Sequence, residues 1–152
     1  MPKFTKQQKK TIDKIYSTLK KAGFDDISIA GMLGNALSES SFNPDSVSKS
    51  NYHGLWQNSK DLHSAIVGLY GNHDIDTQLQ YVMDWVDGSE KVTKGKYRDW
   101  LAMGAGKYKK NGYKSATDAA DAFMKLYERP VILDKSGNII GYQKDRERKD
   151  ND

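Results

Sequence analysis

The run Gly34-Asn35-Ala36-Leu37-Ser38-Glu39-Ser40-Ser41-Phe42-Asn43-Pro44 places one acidic residue, Glu39, where an apolar helix is predicted to end. The segment Gly54-Leu55-Trp56-Gln57 begins fifteen residues after Glu39. A carboxyl group in such a position can keep its proton near neutral pH, because desolvation penalises its charged form. A Glu near a helix C-terminus is also mildly unfavourable with the helix dipole. Because a general acid must hold a proton until it is needed, Glu39 is a candidate for that role.

The helix that carries Glu39 is predicted to begin at Asp25 or Asp26, either of which can cap it. Its apolar side is formed by residues at helical spacing, namely Ile29, Met32, Leu33 and Leu37. Three small residues would let another helix or a ligand approach its backbone closely: Gly31, Gly34 and Ala36. The helix should end at Phe42-Asn43-Pro44, since the residue before a proline disfavours the helical conformation.

The rest of the chain predicts further helices and one β-hairpin. The helices run from the cap Thr5 to Gly23, from Leu62 to Leu69, from the cap Asp76 to Val86, from Tyr97 to Met103, and from the cap Ser115 to about Tyr127. Residues 43–58 are rich in Asn, Ser, Asp and Gly, and they predict a polar loop that can hold short strands. Val131-Ile132-Leu133 and Ile139-Ile140 flank a turn and indicate the hairpin. The expected fold class is mainly α (α+β), a helical domain with a small β element.

Length and composition indicate a single domain. The chain has 152 residues, of which 29% are charged, and it contains no cysteine, which excludes disulfides. No window approaches the roughly 18–20 apolar residues of a membrane span. The start, Met1-Pro2-Lys3-Phe4, lacks the apolar region of a secretory signal. The residues from Lys144 are almost wholly charged, so we expect a domain over 1–143 and a charged tail or linker over 144–152.

Positive charge is concentrated in two segments. Residues 1–21 contain seven Lys and one Asp, and residues 91–114 contain seven Lys, one Arg and one Asp. Such segments attract polyanions, although most charge runs serve only as solvated faces. An anionic cell-wall polymer and an anionic membrane are candidate partners. The sequence lacks the interleaved basic and aromatic residues of a nucleic-acid module, so we expect no nucleic-acid partner.

Several short motifs follow one another along the chain: Ala30-Gly31-Met32-Leu33-Gly34-Asn35, Glu39-Ser40, Asn43-Pro44, Gly54-Leu55-Trp56-Gln57, Gln78-Leu79 with Trp85, and Tyr127-Glu128-Arg129-Pro130. In this order they resemble the phage tail lysozyme family of the lysozyme-like superfamily. The resemblance covers about residues 10–130. It implies a lysozyme-like fold and a peptidoglycan hydrolase, which must protonate a leaving glycosidic oxygen and stabilise an oxocarbenium-like transition state.

The resemblance also implies roles for individual residues. Glu39 would be the general acid, and Gln57 would lie beside the cleaved sugar on the facing wall of the cleft. Aromatic faces suit the apolar faces of sugars, so three aromatic residues are candidates for stacking on the sugar or for shaping the cleft: Tyr52, Trp56 and Tyr127. Ordinary core packing is the alternative for Trp56 and Trp85. Ser40 and Gly54, which belong to the matching motifs, complete the candidate substrate-binding set.

One departure from related lysozymes leaves the mechanism open. Chicken-type lysozymes carry a catalytic Asp two residues before the glycine of the equivalent segment, whereas this chain has Tyr52 there. Asp45 and Asp61 are the nearest candidates for a second carboxylate that would activate water. Alternatively, the N-acetyl or 6-hydroxyl group of the substrate would act, and the latter gives a lytic transglycosylase. A non-catalytic wall-binding module of a phage tail is a further possibility.

No cofactor and no metal are expected. His53, His63 and His73 recur every ten residues, which is not a helical ligand spacing, and no cysteine accompanies them. We expect exposed or loop histidines. The expected partners are peptidoglycan glycan strands, with anionic cell-wall polymers and other phage tail proteins as further candidates. A lysozyme without a signal would be carried to the wall in a virion, released through a membrane lesion, or excised from a longer protein.

Overall fold

The computed structural model describes residues 3–92, 104–128, 131–133, 135–136 and 139–142. Five α-helices are found there: α1 (Lys6–Lys21), α2 (Asp26–Ser40), α3 (Lys60–Tyr70), α4 (Ile75–Asp87) and α5 (Ala116–Phe123), with a π-helical turn (Met124–Glu128) directly after α5. Two strands follow, β1 (Val131–Leu133) and β2 (Ile139–Tyr142). The predicted class, mainly helical with a small β element, is confirmed. The helix predicted from Tyr97 to Met103 and the tail over 144–152 lie outside the described residues, so the domain boundary stays a prediction.

The helices begin at side chains that accept hydrogen bonds from free backbone N–H groups. Thr5 and Gln8 form a reciprocal capping box before α1, with distances of 3.0 and 2.9 Å. Asp25 caps α2 by accepting from the Ser28 N–H, and Ser115 caps α5. These three caps agree with the sequence.

The predicted cap of α4 is wrong by two residues. Asp74, not Asp76, accepts from the Thr77 N–H, at 2.9 Å. Asp76 lies inside the first turn, where its carboxylate faces the positive end of the helix and pairs with Lys14 at 2.8 Å. Either aspartate suits a helix start, and the sequence pattern alone did not separate the two positions.

α2 and α5 pack against each other at Gly31. A Cβ atom added at Gly31 would come within 2.6 Å of the Ala119 backbone, so only glycine fits there. Asn35 joins the two helices, because its side-chain N–H donates to the Ala120 carbonyl at 3.0 Å. The close approach of another helix, predicted from the small residues of α2, is confirmed at this point.

The hydrophobic core lies between the helices and the loop after α2. The largest fully buried side chains are Trp56, Trp85, Tyr81, Phe24, Phe123, Ile15, Leu19, Ile29, Met32, Leu55 and Ile66. α2 ends at Ser40, and Ser41 (φ 52°) and Phe42 (φ 62°) turn the chain in the left-handed region. Phe42 is buried and belongs to the core, so this turn places its side chain in the protein interior.

Residues 43–58 form a loop with two isolated β-bridges, Val47 with His53 and His53 with Asn58. The bridges fold the loop onto itself beside the end of α2. Further along the chain, β1 and β2 pair antiparallel, with Val131 opposite Tyr142 and an irregularity after Ile132. This is the predicted hairpin. None of the helices described is long and apolar enough to cross a membrane.

Candidate active site

Glu39 lies in the last turn of α2, and its side chain is half-buried. The next residue fixes this end of the helix to the loop, because the Ser40 hydroxyl lies 2.9 Å from the Leu55 carbonyl oxygen. The same hydroxyl lies 3.0 Å from the Ala36 carbonyl oxygen of α2. Glu39 is therefore held at a junction between a rigid helix and a folded loop.

A pocket opens at this junction between the end of α2 and residues 46–57. It has a volume of about 240 Å³, and its described lining residues are Glu39, Ser46, Val47, Ser48, Lys49 and Gln57. Glu39 and Gln57, paired by the sequence motifs, thus share one pocket. We call it the Glu39 pocket.

Gln57 has a constrained conformation. Its φ of 52° lies in the left-handed region, which is uncommon for a residue with a side chain. The side chain is almost fully buried, and its amide N–H donates to the Gly54 carbonyl oxygen at 3.0 Å. Residues held in this way occur often at functional sites, where the surroundings must maintain the strain.

Two other candidate residues of the motif, Trp56 and Gly54, are buried in the protein interior. Trp56 is only 1% exposed, and its indole N–H donates to the Met32 carbonyl oxygen at 2.9 Å. A ring buried to this extent has no open face for a sugar, so shaping the cleft is the role that its position allows. Gly54 (φ 85°) is also buried, and a Cβ atom there would collide with the Gln78 side chain.

The two candidate tyrosines occupy different environments. Tyr52 is partly exposed on the loop, where its backbone N–H donates to the Ser48 hydroxyl at 3.1 Å. Tyr127 lies in the π-helical turn after α5, and its ring stacks on Phe123 with centroids 4.9 Å apart. Its hydroxyl donates to the Asn58 side-chain oxygen. Neither tyrosine is among the described residues that line the Glu39 pocket.

The two candidate second carboxylates also lie outside the Glu39 pocket. Asp61 is exposed in the first turn of α3. Asp45 lines a neighbouring pocket of about 170 Å³, together with Pro44, Ser46, Val47, His53, Gly54, His63 and His73. Among the described residues lining the Glu39 pocket, Glu39 alone carries a carboxylate.

His53 and His73 are loop residues, as expected, whereas His63 lies in α3, and the packing of the three rings against one another was not expected. The rings of His53 and His63 stack with centroids 3.7 Å apart, and the His63 and His73 rings meet edge to face at 4.5 Å. Each residue comes from a different part of the fold: the loop, α3 and the turn before α4. We call this group the histidine cluster. No group of His, Cys, Asp or Glu residues in the described part of the chain is arranged to hold a metal ion.

Burial makes the histidine cluster less basic than free histidine. Desolvation lowers the pKa of His63, and desolvation together with the nearby His63 lowers the pKa of His53. The pKa of His73 falls to about 4, mainly through desolvation and then through the other two imidazoles, against an opposing effect of Asp74. All three rings are therefore neutral at pH 7.

Gln78 forms hydrogen bonds to residues beside both pockets, although the sequence analysis treated it only as part of a family motif. Its side-chain oxygen accepts from the Leu55 N–H at 2.8 Å. Its side-chain N–H group donates to the Pro44 and His73 carbonyl oxygens at 2.9 and 2.8 Å. One buried amide thus joins α4 to both ends of the loop. The signal for it was a polar residue next to the apolar side of α4, beside Leu79.

Asn58 adds a second polar link that the sequence reasoning missed. Its side chain is buried, accepts from the Tyr127 hydroxyl and lies 3.0 Å from His73 Nε2. The link connects the histidine cluster to the turn after α5.

A family model described as phage tail lysozyme matches residues 10–151, which is nearly the whole chain. No curated protein and no solved structure matches the chain.

Proposed function

The chain belongs to the phage tail lysozyme family, and we propose that it is a muramidase that uses Glu39 as its general acid. Membership indicates a phage lysozyme-like hydrolase that acts on the bacterial cell wall. The bond to be cut is the one between N-acetylmuramic acid and N-acetylglucosamine in the glycan strands of peptidoglycan.

The observation that carries the proposal is the position of Glu39 in an open pocket at the end of α2. The helix and the Ser40 contact keep the carboxyl group in place, while the loop supplies the facing wall with Gln57. A proton donor that is positioned before the substrate arrives needs little reorganisation in the transition state. Glu39 would donate its proton to the glycosidic oxygen as the bond to the sugar ring breaks.

The second step is proposed to proceed without a carboxylate beside Glu39. Asp45 and Asp61 do not line the Glu39 pocket, and Tyr52 occupies the sequence position of the missing Asp. Three groups remain as candidates to capture the oxocarbenium-like carbon: water, the substrate's own N-acetyl group and its 6-hydroxyl group. Water would give a hydrolase, whereas the 6-hydroxyl group would give a 1,6-anhydro sugar and hence a lytic transglycosylase. The absence of a described second carboxylate in the pocket supports keeping the transglycosylase as the second candidate.

Replacement of Glu39 by Gln tests the proposal, because Gln keeps the shape of the side chain but cannot donate an acidic proton. General acid catalysis contributes roughly 10²- to 10⁴-fold, so lysis of purified cell walls by Glu39→Gln should fall by at least that lower factor. The matched control is Asp13→Asn, which removes an exposed carboxylate of α1 outside the Glu39 pocket. If the wild-type protein sediments with peptidoglycan but releases no reducing sugar ends, the result would instead indicate a non-catalytic module.

We propose that the protein reaches peptidoglycan as part of a phage tail or after release to the cell wall. α1 presents exposed lysines that suit anionic cell-wall polymers: Lys6, Lys9, Lys10 and Lys21. Attraction of this kind between exposed charges is screened by salt. If binding of the protein to purified cell walls weakens as the salt concentration rises, the result would support an electrostatic contribution of these lysines. Contacts with other tail proteins are a further proposal from family membership.

A further inference from the structure

We infer that Asn111 is a site of spontaneous modification, at which the side-chain amide is hydrolysed through a cyclic imide to aspartate and isoaspartate, and that isoaspartate there loosens the anchor of α2. Asn111 is followed by Gly112, and no other asparagine of the chain precedes a glycine. The inference is independent of the proposed function, because neither residue is among the described residues that line the Glu39 pocket.

The reaction consumes only water. The backbone nitrogen of Gly112 loses its proton and attacks the side-chain carbonyl carbon of Asn111, so a new carbon–nitrogen bond closes the imide ring. The bond to the side-chain NH₂ group breaks, and ammonia leaves with the proton. Water then opens the ring: attack at the side-chain carbonyl gives aspartate, whereas attack at the main-chain carbonyl gives isoaspartate, in which the chain continues through the former side chain.

Both reacting groups are accessible. Asn111 and Gly112 are exposed, and a Cβ atom added at Gly112 would meet nothing within 4 Å. In the described part of the chain, neither the Asn111 side chain nor the Gly112 N–H has a hydrogen-bond partner. Glycine also lacks the side chain that would crowd the attacking nitrogen, and its backbone adopts more conformations than that of other residues. The amide and the nitrogen can therefore meet without breaking an existing contact.

The other asparagines that the structure describes are restrained by their neighbours. Their side chains all form hydrogen bonds: Asn35, Asn43, Asn51, Asn58 and Asn72. Asp87-Gly88 is a related pair, since an aspartate before a glycine can form the same imide. The Gly88 N–H, however, donates to the Trp85 carbonyl oxygen at 3.1 Å, so its nitrogen is engaged. The structure thus distinguishes Asn111 from every other described candidate.

The modification falls in a segment that anchors the start of α2. The Lys110 carbonyl oxygen accepts from the Asp25 N–H at 2.8 Å and from the Ser28 hydroxyl at 2.7 Å. Beyond the reactive bond, the Tyr113 hydroxyl accepts from the Lys109 N–H at 3.0 Å. Isoaspartate adds one atom to the backbone between these two sets of contacts. Both sets cannot then keep their geometry, so the start of α2 loses part of its support.

Charge alone should have little effect at this position. Lys109 and Lys110 precede Asn111, and Lys114 follows it, so a new carboxylate enters a positively charged part of the chain. The substitution Asn111→Asp introduces the same charge without the added backbone atom. It therefore separates the effect of the charge from the effect of the longer backbone.

Storage of the full chain at pH 8, followed by peptide mapping with mass spectrometry, tests the inference. Base favours the reaction because the attacking nitrogen must lose its proton. Modification of Asn111 should proceed at least about tenfold faster than that of Asn58, which is buried and must first be exposed by local opening. Fragmentation of the peptide distinguishes isoaspartate from aspartate. The matched control is Asn111→Gln, whose longer side chain forms a larger and less favourable ring.

Urea unfolding then measures the effect on the fold. The isoaspartate form of stored wild type, separated by ion exchange, should unfold at lower urea than Asn111→Asp, and stored Asn111→Gln should unfold like fresh protein. Absence of isoaspartate at position 111, or equal rates at Asn111 and Asn58, would overturn the modification site. Equal unfolding midpoints of the isoaspartate form and Asn111→Asp would overturn the effect on the anchor of α2. None of these measurements requires lytic activity.

Discussion

At the scale of single residues, the neighbours Trp56 and Gln57 have different roles, although both side chains are buried. Gln57 lines the Glu39 pocket, whereas Trp56 does not line it and donates to the Met32 carbonyl oxygen. The sequence predicted both near the cleft but could not separate them, because the conformation of the loop decides which of the two lines the pocket. The φ of 52° at Gln57 contributes to this conformation, and no pattern in the local sequence predicts this angle.

Trp56→Phe tests the supporting role of this residue. The variant loses the indole N–H and leaves unfilled volume in the core, so the free energy of unfolding should fall by about 2 kcal/mol. The Michaelis constant for soluble peptidoglycan fragments should change less than twofold, because the ring does not reach the pocket. Urea unfolding and steady-state kinetics measure the two quantities. A large rise in the Michaelis constant at unchanged stability would show instead that the ring contacts the sugar.

At the scale of elements, helices were predictable where caps and apolar spacing agree. α1, α2 and α5 begin at the predicted caps, and β1 and β2 pair as expected. α4 begins earlier than predicted because Asp74 provides a competing cap. The loop over residues 43–58 could only be identified as polar, since its shape depends on Gln78, which lies on a distant helix.

The contact between α2 and α5 makes opposite predictions for two glycines of one helix. Gly31→Ala should lower the free energy of unfolding by about 1–3 kcal/mol, because the new methyl group meets the Ala119 backbone. The methyl group added by Gly34→Ala meets nothing within 4 Å. This substitution should raise the free energy of unfolding by about 0.5–1 kcal/mol, because alanine has a higher helix propensity than glycine. Denaturant unfolding of the two variants provides the comparison. Equal effects would refute the close packing at Gly31.

Gln78→Met should weaken the loop that forms both pockets. Methionine has a similar length but loses three hydrogen bonds and leaves the Leu55 N–H buried without its partner, which should cost about 2–4 kcal/mol of stability. Lytic activity should fall although Gln78 does not line the Glu39 pocket. Gln80→Met, an exposed change on the same helix, is the control and should be nearly neutral. Unfolding curves and lysis assays on both variants measure the two effects. Equal stability and equal activity of the two variants would contradict the supporting role of Gln78.

At the scale of the whole molecule, the histidine cluster is the feature that sequence reasoning missed most completely. His53, His63 and His73 lie on three elements, so their meeting depends on how the loop, α3 and the turn before α4 pack. Spacing along the chain carries no signal for such a convergence. Family resemblance predicted the overall class and the pocket of Glu39, but it gave no expectation for these residues.

The cluster should make the stability of the whole protein depend on pH. A lowered pKa means that the folded protein binds fewer protons than the unfolded chain, so stability is complete above about pH 6.5 and is lost as pH falls towards 4. Urea unfolding at pH 7, 6 and 5 should show this loss. His73→Gln removes the group with the lowest of the three pKa values and should reduce the slope. Identical slopes in the two proteins would exclude a contribution from His73.

The central claim is that Glu39 makes the protein a glycosidase of peptidoglycan. Mass spectrometry of purified peptidoglycan digested with the wild type and with Glu39→Gln tests it most directly. We expect muropeptides that end in reducing N-acetylmuramic acid from the wild type and essentially none from the variant; 1,6-anhydro ends would reassign the same residue to a transglycosylase. Release of the same products by Glu39→Gln at the wild-type rate would contradict the claim.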